Sequence, residues 1–249
     1  MSIKPPEEQL QPLQGKEQFA FDCGPDLSCF TECCRALDLV LTPYDVLRLR
    51  RNLGISSDEF LERYAVVEAS EDEAFPLVFL AMVDDGRASC PFVAASGCTV
   101  YQDRPAACRA YPLGRGLRLT GCGGRKIQEL FVLVREPHCR GFELDRKKDA
   151  ASWMDGQGLT AYNRVSDALL PLLRHPRILQ GWRPTPAQKA QYLEALYQLE
   201  QLQAQLLAGE AARLVAADPQ GRSATELATL DEMELLLVAI DWLRNEFKL

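Results

Sequence analysis

The residues with the widest chemical scope in this 249-residue chain are nine cysteines, Cys23, Cys29, Cys33, Cys34, Cys90, Cys98, Cys108, Cys122 and Cys139, none of which lies in the last 110 residues. Four of them fall within twelve positions as Cys23-x5-Cys29-x3-Cys33-Cys34. On a helix, Cys29 and Cys33 at i and i+4 would share a face, with Cys34 turned about 100° from Cys33. One helix could then feed two neighbouring metals, or two irons of one cluster. A vicinal pair makes a strained disulfide and an i,i+4 pair is at the edge of reach, so covalent bridging is disfavoured.

The second group is Cys90-PFVAASG-Cys98-TVYQDRPAA-Cys108-RAYP, followed by Cys139 ahead of Gly141. Cys90 and Cys139 read as strand ends, Cys98 follows a Ser96-Gly97 turn, and Cys108 sits on a short helix. Backbone that bends at such places can aim a thiolate. Eight thiols, Cys23, Cys29, Cys33, Cys34, Cys90, Cys98, Cys108 and Cys139, are the candidate metal ligands, enough for two zinc sites of four thiolates or for iron-sulfur chemistry. Isolated Cys122 reads instead as a free thiol acting as a small apolar residue. Thiolate sites carry excess negative charge, which nearby cations offset. Arg35, Arg104 and Arg109 are therefore candidates for the surroundings of the bound group, and Arg140 lies equally near; ordinary surface arginines are the alternative. His138 is more simply a solvent-facing side chain than a ligand, and His175 still more so. Tyr101 and Tyr111 bracket Arg104-Pro105, where packing is the simpler role and a hydrogen bond to sulfur the sharper one. Asp103 and Arg104 suggest a local ion pair.

Elements that must position these residues can be read from caps and periodicity. Residues 1–18 are polar and proline-bearing, the pattern of a loosely held tail, with order expected from about Phe19. Cys29 to Leu37 reads as a short helix. Thr42-Pro43-Tyr44-Asp45 opens a helix that Gly54 closes, and Ser56 with Glu59 opens another. The run Phe75 to Val83, the turn Asp84-Asp85-Gly86 and the return to Cys90 suggest a hairpin. A short helix over Pro105–Tyr111 stops at Pro112, and strand-like runs at 117–119 and 127–134 flank the glycines near Cys122. From about Trp153 the period is helical. Tyr192, Leu193, Leu196, Leu199, Leu202 and Leu206 form one stripe after Thr185-Pro186. A last helix, capped by Ser223 or Thr225, turns Leu227, Leu230, Met233, Leu236, Leu237, Ile240 and Leu243 inward.

The expected fold class is α-rich α+β: a cysteine-cluster metal domain of helices and short strands over residues 19–152, with a helical C-terminal region, 153–249, packed on it. Those helices carry no cysteine, so a buttressing role is expected of them, with a protein-partner surface as the alternative. The net charge of -7 disfavours nucleic-acid binding. The apolar runs are too short to span a bilayer, and the start lacks a secretory pattern, so a soluble, cytoplasmic chain with reduced thiols is expected. No phosphate loop, HExxH, GxSxG or paired-carboxylate signature is present. The radical-SAM spacing is absent too, since Cys29-x3-Cys33-Cys34 keeps its first gap and loses its second.

The run from Phe21 to Arg35, the block CTVY-x2-RP-x2-CR-x-YP and the late Cys-x-Gly resemble the YkgJ-type cysteine cluster family, zinc- or iron-chelating domains with a CxxCxxCC signature. The resemblance covers residues 19–160. It implies metal binding by the eight cysteines above, excluding Cys122, and supplies no reaction. The first spacing here is wider than the family usually shows. A similar signature accompanies flagellin lysine N-methylases, where an iron-sulfur cluster is implicated. Three functions follow: an iron-sulfur or iron centre in an enzyme or accessory factor, a structural-zinc interaction module, or a thiol-based buffer or sensor of metals or oxidants. The vicinal pair and the arginines favour an iron-sulfur cluster over zinc or iron ions.

Overall fold

The computed structural model describes residues 9–14, 16–70, 72–120 and 126–249. Cys122, expected to be a non-ligand, lies outside them. The fold is helix-rich α+β, with small antiparallel sheets. It divides into two compact units, and the division interleaves the sequence. The first holds the chain up to Leu39 with Leu80–Ala161; the second holds Val40–Phe79 with Tyr162–Leu249.

In the first unit, β1 (Leu10–Leu13) pairs with β8 (Lys126–Val134), which pairs in turn with β7 (Leu113–Thr120). A second pair joins β2 (Gln18–Ala20) to β9 (Lys147–Asp149), and a third joins β5 (Val93–Ala94) to β6 (Gly97–Cys98). Residues 1–18, read as a tail, thus contribute β1. The apolar Leu10 and Leu13 within that polar stretch find partners at Val134 and Phe131, more than a hundred positions away. The core of this unit is aromatic. Buried Phe19, Phe21 and Trp153 gather with Leu13, Leu113 and Leu133, and Tyr111, Phe142 and Cys139 pack against them. Phe21 is the hub, with ring centroids 5.8 Å from Tyr111, 5.0 Å from Phe142 and 5.5 Å from Trp153, all edge-on. That geometry suits the opposed charge of ring edge and face. The Trp153 indole donates to the Ala110 carbonyl at 2.8 Å, fixing α4 (Ala150–Gly156) against α3 (Ala106–Ala110).

The second unit carries α1 (Pro43–Leu53), α2 (Ser57–Tyr64), β3 (Ala65–Glu68), β4 (Leu77–Leu80, whose last residue falls in the first unit), most of α5 (Thr160–Leu173), α6 (Pro176–Leu179), α7 (Pro186–Tyr197), α8 (Leu199–Ala208), α9 (Ala212–Ala217), α10 (Ala224–Ala228) and α11 (Glu232–Glu246). Thr42 and Asp45 form the reciprocal cap of α1, and Gly54 ends it at φ 67°. The stripe after Thr185 is buried at Tyr192, Leu196, Leu199, Leu202 and Leu206. It runs over two helices, since Gln198 leaves helical geometry between α7 and α8. The expected last helix is likewise two, α10 with a Ser223–Glu226 capping box and α11 opened by Asp231. Arg50, 8% exposed, bonds Glu200 at 3.0 Å and also pairs with Glu232, so a buried cation ties α1 to α8 and α11. The hairpin expected over 75–90 is made of less than full strands: β4 pairs with β3, while Val83 and Ser89 form an isolated bridge across the Asp85-Gly86 reversal.

Candidate metal centre

All eight described cysteines are free thiols and all lie in the first unit. Around the vicinal pair the local structure differs from the expected helix. Only Glu32–Cys34 is helical, as a single 3-10 turn, because Thr31 at φ 67° and Ala36 at φ 48° are left-handed on either side of it. A 3-10 turn advances about 120° per residue, so Cys33 and Cys34 diverge more than on an α-helix. Cys29 lies in the preceding turn, where its carbonyl accepts from Glu32 N at 3.0 Å. The i,i+4 sharing of a face by Cys29 and Cys33 therefore does not occur.

Backbone hydrogen bonds between distant segments bring the thiols together. Cys90 N donates to Cys34 O at 2.9 Å, and Ala36 N donates to Ala88 O at 2.8 Å, with Arg35 and Ser89 bridged between them. Cys90 and Cys98 belong to one short hairpin, in which Val93 N donates to Cys90 O at 3.1 Å and Val93 faces Cys98 across β5 and β6. The turn needs glycine: Gly97 has φ 114°, and a Cβ there would stand 3.1 Å from the Phe30 ring. Across the site, Asp22 N donates to Gly141 O at 3.1 Å, and Arg140 N donates to Cys29 Sγ at 3.2 Å. These contacts set Cys23 and Cys29 beside Cys139.

The electrostatics trace the same neighbourhoods. Burial, then the thiols of Cys33, Cys29 and Cys139, push Cys23 up to about 11. Cys33 is raised further, by its hydrogen bond to Cys34, by burial, and by the charges of Cys34 and Glu136. Burial also raises Cys90 and Cys98; Cys33 adds to both, while Arg35 opposes the rise at Cys90 and Arg104 at Cys98. Arg104 is depressed by its own burial and feels both Cys108 and Cys98.

The candidate arginines occupy distinct settings. Arg35 donates to Ser89 Oγ at 2.8 Å, and its buried Nε has no hydrogen-bond partner among the described residues. Arg104 donates to Tyr101 O and Gln157 Oε1, each at 2.6 Å, and its guanidinium lies 3.8 Å from the Tyr101 ring centroid. Arg109 donates to Arg104 O at 3.1 Å, to Gln157 O at 2.8 Å and to Gln102 O. These two guanidiniums thus hold the loop carrying Cys98 and Cys108 to residue 157. Arg140 instead pairs with Glu143 at 2.9 Å, leaving its backbone N–H to serve Cys29. His138 stands 3.6 Å from Glu136 and His175 caps α6, each with a non-sulfur partner.

Two residues acquire a place that sequence reasoning did not give them. Tyr111 packs on Phe21 as expected of a core residue, yet its buried hydroxyl also approaches Cys139 and Glu136 without completing a hydrogen bond of good geometry. Glu136 neighbours Cys33 and Tyr111, and no spacing signal marked it.

Soft thiolates suit zinc and iron, and unpartnered donors such as Tyr111 Oη and Arg35 Nε suit a site where charge accumulates on sulfur. The donor set therefore fits such a group. Its geometry is gathered but open: among the described residues, no three His, Cys, Asp or Glu side chains are arranged to hold an ion as they stand. Side-chain rotation and loss of thiol protons must accompany binding. No described helix is long and apolar enough to cross a membrane. No curated protein and no solved structure matches the chain. The model of the CxxCxxCC family, described as "Putative zinc- or iron-chelating domain", matches residues 22–140, the stretch that contains every cysteine of the chain. By that match, residues 22–140 of this chain belong to the CxxCxxCC family of zinc- or iron-chelating domains.

Proposed function

We propose that the chain binds iron as an iron-sulfur cluster, held by thiolates drawn from Cys23, Cys29, Cys33, Cys34, Cys90, Cys98, Cys108 and Cys139. The observation that supports this most is the convergence of four distant segments, 22–35, 89–98, 104–109 and 136–141, through backbone hydrogen bonds and shared charge. Bound iron-sulfur clusters supply electron transfer at potentials tuned by hydrogen bonds to sulfur and by burial. The chain's own residues provide both controls. Arg140 N–H donates to Cys29 Sγ, Tyr111 Oη lies at Cys139, and the Arg35 and Arg104 guanidiniums offset charge at Cys90 and Cys98. Arg104 and Arg109 position the Cys98–Cys108 loop.

An anaerobic visible spectrum with elemental analysis tests the reading. Broad absorbance at roughly 400 nm with iron and sulfide supports it. Colourless protein with stoichiometric zinc replaces it with the structural-zinc interaction module, and protein that retains neither metal refutes both. Replacing Cys33 and Cys34 together by serine should abolish loading, whereas Cys122→Ser should leave it unchanged. Buttressing by the C-terminal helices and a cytoplasmic location complete the proposal.

A further inference from the structure

The eight thiols are not one ring of equivalent ligands. Backbone contacts sort six of them into two groups of three. Cys23, Cys29 and Cys139 are drawn together by the Asp22–Gly141 and Arg140–Cys29 hydrogen bonds. Cys90 and Cys98 share the β5–β6 hairpin, and Cys98 and Cys108 share the Arg104 guanidinium. Between the groups stands the vicinal pair. Cys34 takes the Cys90 N–H on its carbonyl, while Cys33 feels Cys23 on one side and Cys90 and Cys98 on the other. Three thiols fall one short of the four that a tetrahedral metal takes, and adjacent residues on a 3-10 turn diverge too far to serve one ion comfortably.

We infer that the chain holds two separate metal centres, one on Cys23, Cys29 and Cys139 and one on Cys90, Cys98 and Cys108, each completed by one thiol of the Cys33–Cys34 pair. This rests on the reading that the cysteines bind metal, and it adds the number of centres and the assignment of ligands. The division also gives the open arrangement a reason: each centre must recruit its fourth ligand from a turn held between left-handed Thr31 and Ala36. Two centres joined through one turn will be coupled, because seating the first fixes the turn that completes the second.

Cobalt(II), whose thiolate complexes absorb in the near ultraviolet, is the probe, titrated anaerobically into the full-length, metal-free chain. Wild type should take two equivalents. Cys139→Ser and Cys98→Ser should each take one, the double variant Cys23→Ser/Cys139→Ser should still take one, and Cys98→Ser/Cys139→Ser should take none. Circular dichroism identifies variants that fail to fold; Cys29→Ser and Cys90→Ser then replace them. One equivalent in wild type, or loss of all binding in both folded single variants, overturns the division while leaving thiolate metal binding intact. No binding by wild type overturns both.

Discussion

Gly141 is the position where one added methyl group should separate the two halves of the cysteine site. A Cβ there would meet the Asp22 carbonyl oxygen at 2.6 Å and the edge of the Phe21 ring as well. Neither neighbour can yield cheaply. Phe21 is 2% exposed and locked among Tyr111, Phe142 and Trp153, and Asp22 is held by its own N–H bond to Gly141 O. Relief must come from parting residues 21–23 from 139–141, which carries Cys23 away from Cys139. Overpacking of this kind costs about 1–3 kcal/mol. At roughly 2–4 °C per kcal/mol for a chain of this size, Gly141→Ala should melt roughly 2–12 °C lower. If the same strain falls on the loaded site, metal affinity drops about tenfold for each 1.4 kcal/mol. Gly24→Ala is the control, one residue beyond Cys23, where a Cβ meets nothing within 4 Å. The assays are thermal unfolding of the metal-free protein and a chelator competition for bound metal. If Gly141→Ala matches Gly24→Ala in both, the close approach of these segments is not what builds the site.

Metal affinity should strengthen from pH 6 to 9, because thiols raised by burial and by one another must lose protons to bind; a pH-independent competition titration would contradict this. The same shifts govern the metal-free fold. A thiol raised from 9 to about 11 contributes stability that is present below pH 9 and lost as pH rises toward 11, so Cys23→Ser should flatten part of that decline in denaturant titrations. Arg50→Met leaves Glu232 and Glu200 facing each other without their cation and should cost about 3 kcal/mol, read by urea unfolding; a loss under about 1 kcal/mol would show that the pair contributes little. Tyr197→Phe removes the buried hydroxyl that donates to Leu41 O at 3.1 Å and should cost about 1 kcal/mol in the same assay, unless water replaces it.

What the sequence determined by itself was local. Thr42 with Pro43 and Asp45, Gly54, Thr185 with Pro186, and Ser223 with Glu226 mark helix ends because caps act within four residues. The identity of the thiols, their confinement to the first 139 positions and the family signature were equally legible there. Tertiary structure decided what depends on partners far along the chain. Leu10–Leu13 is a strand because β8 supplies its hydrogen bonds, not because of its composition. The helix expected at Cys29 is replaced by a 3-10 turn because Cys34 and Ala36 satisfy their backbone groups against Cys90 and Ala88 instead of along a helix. The interleaving of 40–79 with the C-terminal helices, the place of Glu136 and the closeness of Gly141 to Phe21 arise in the same way. Such contacts are fixed by packing across large sequence separations, which spacing along the chain does not encode.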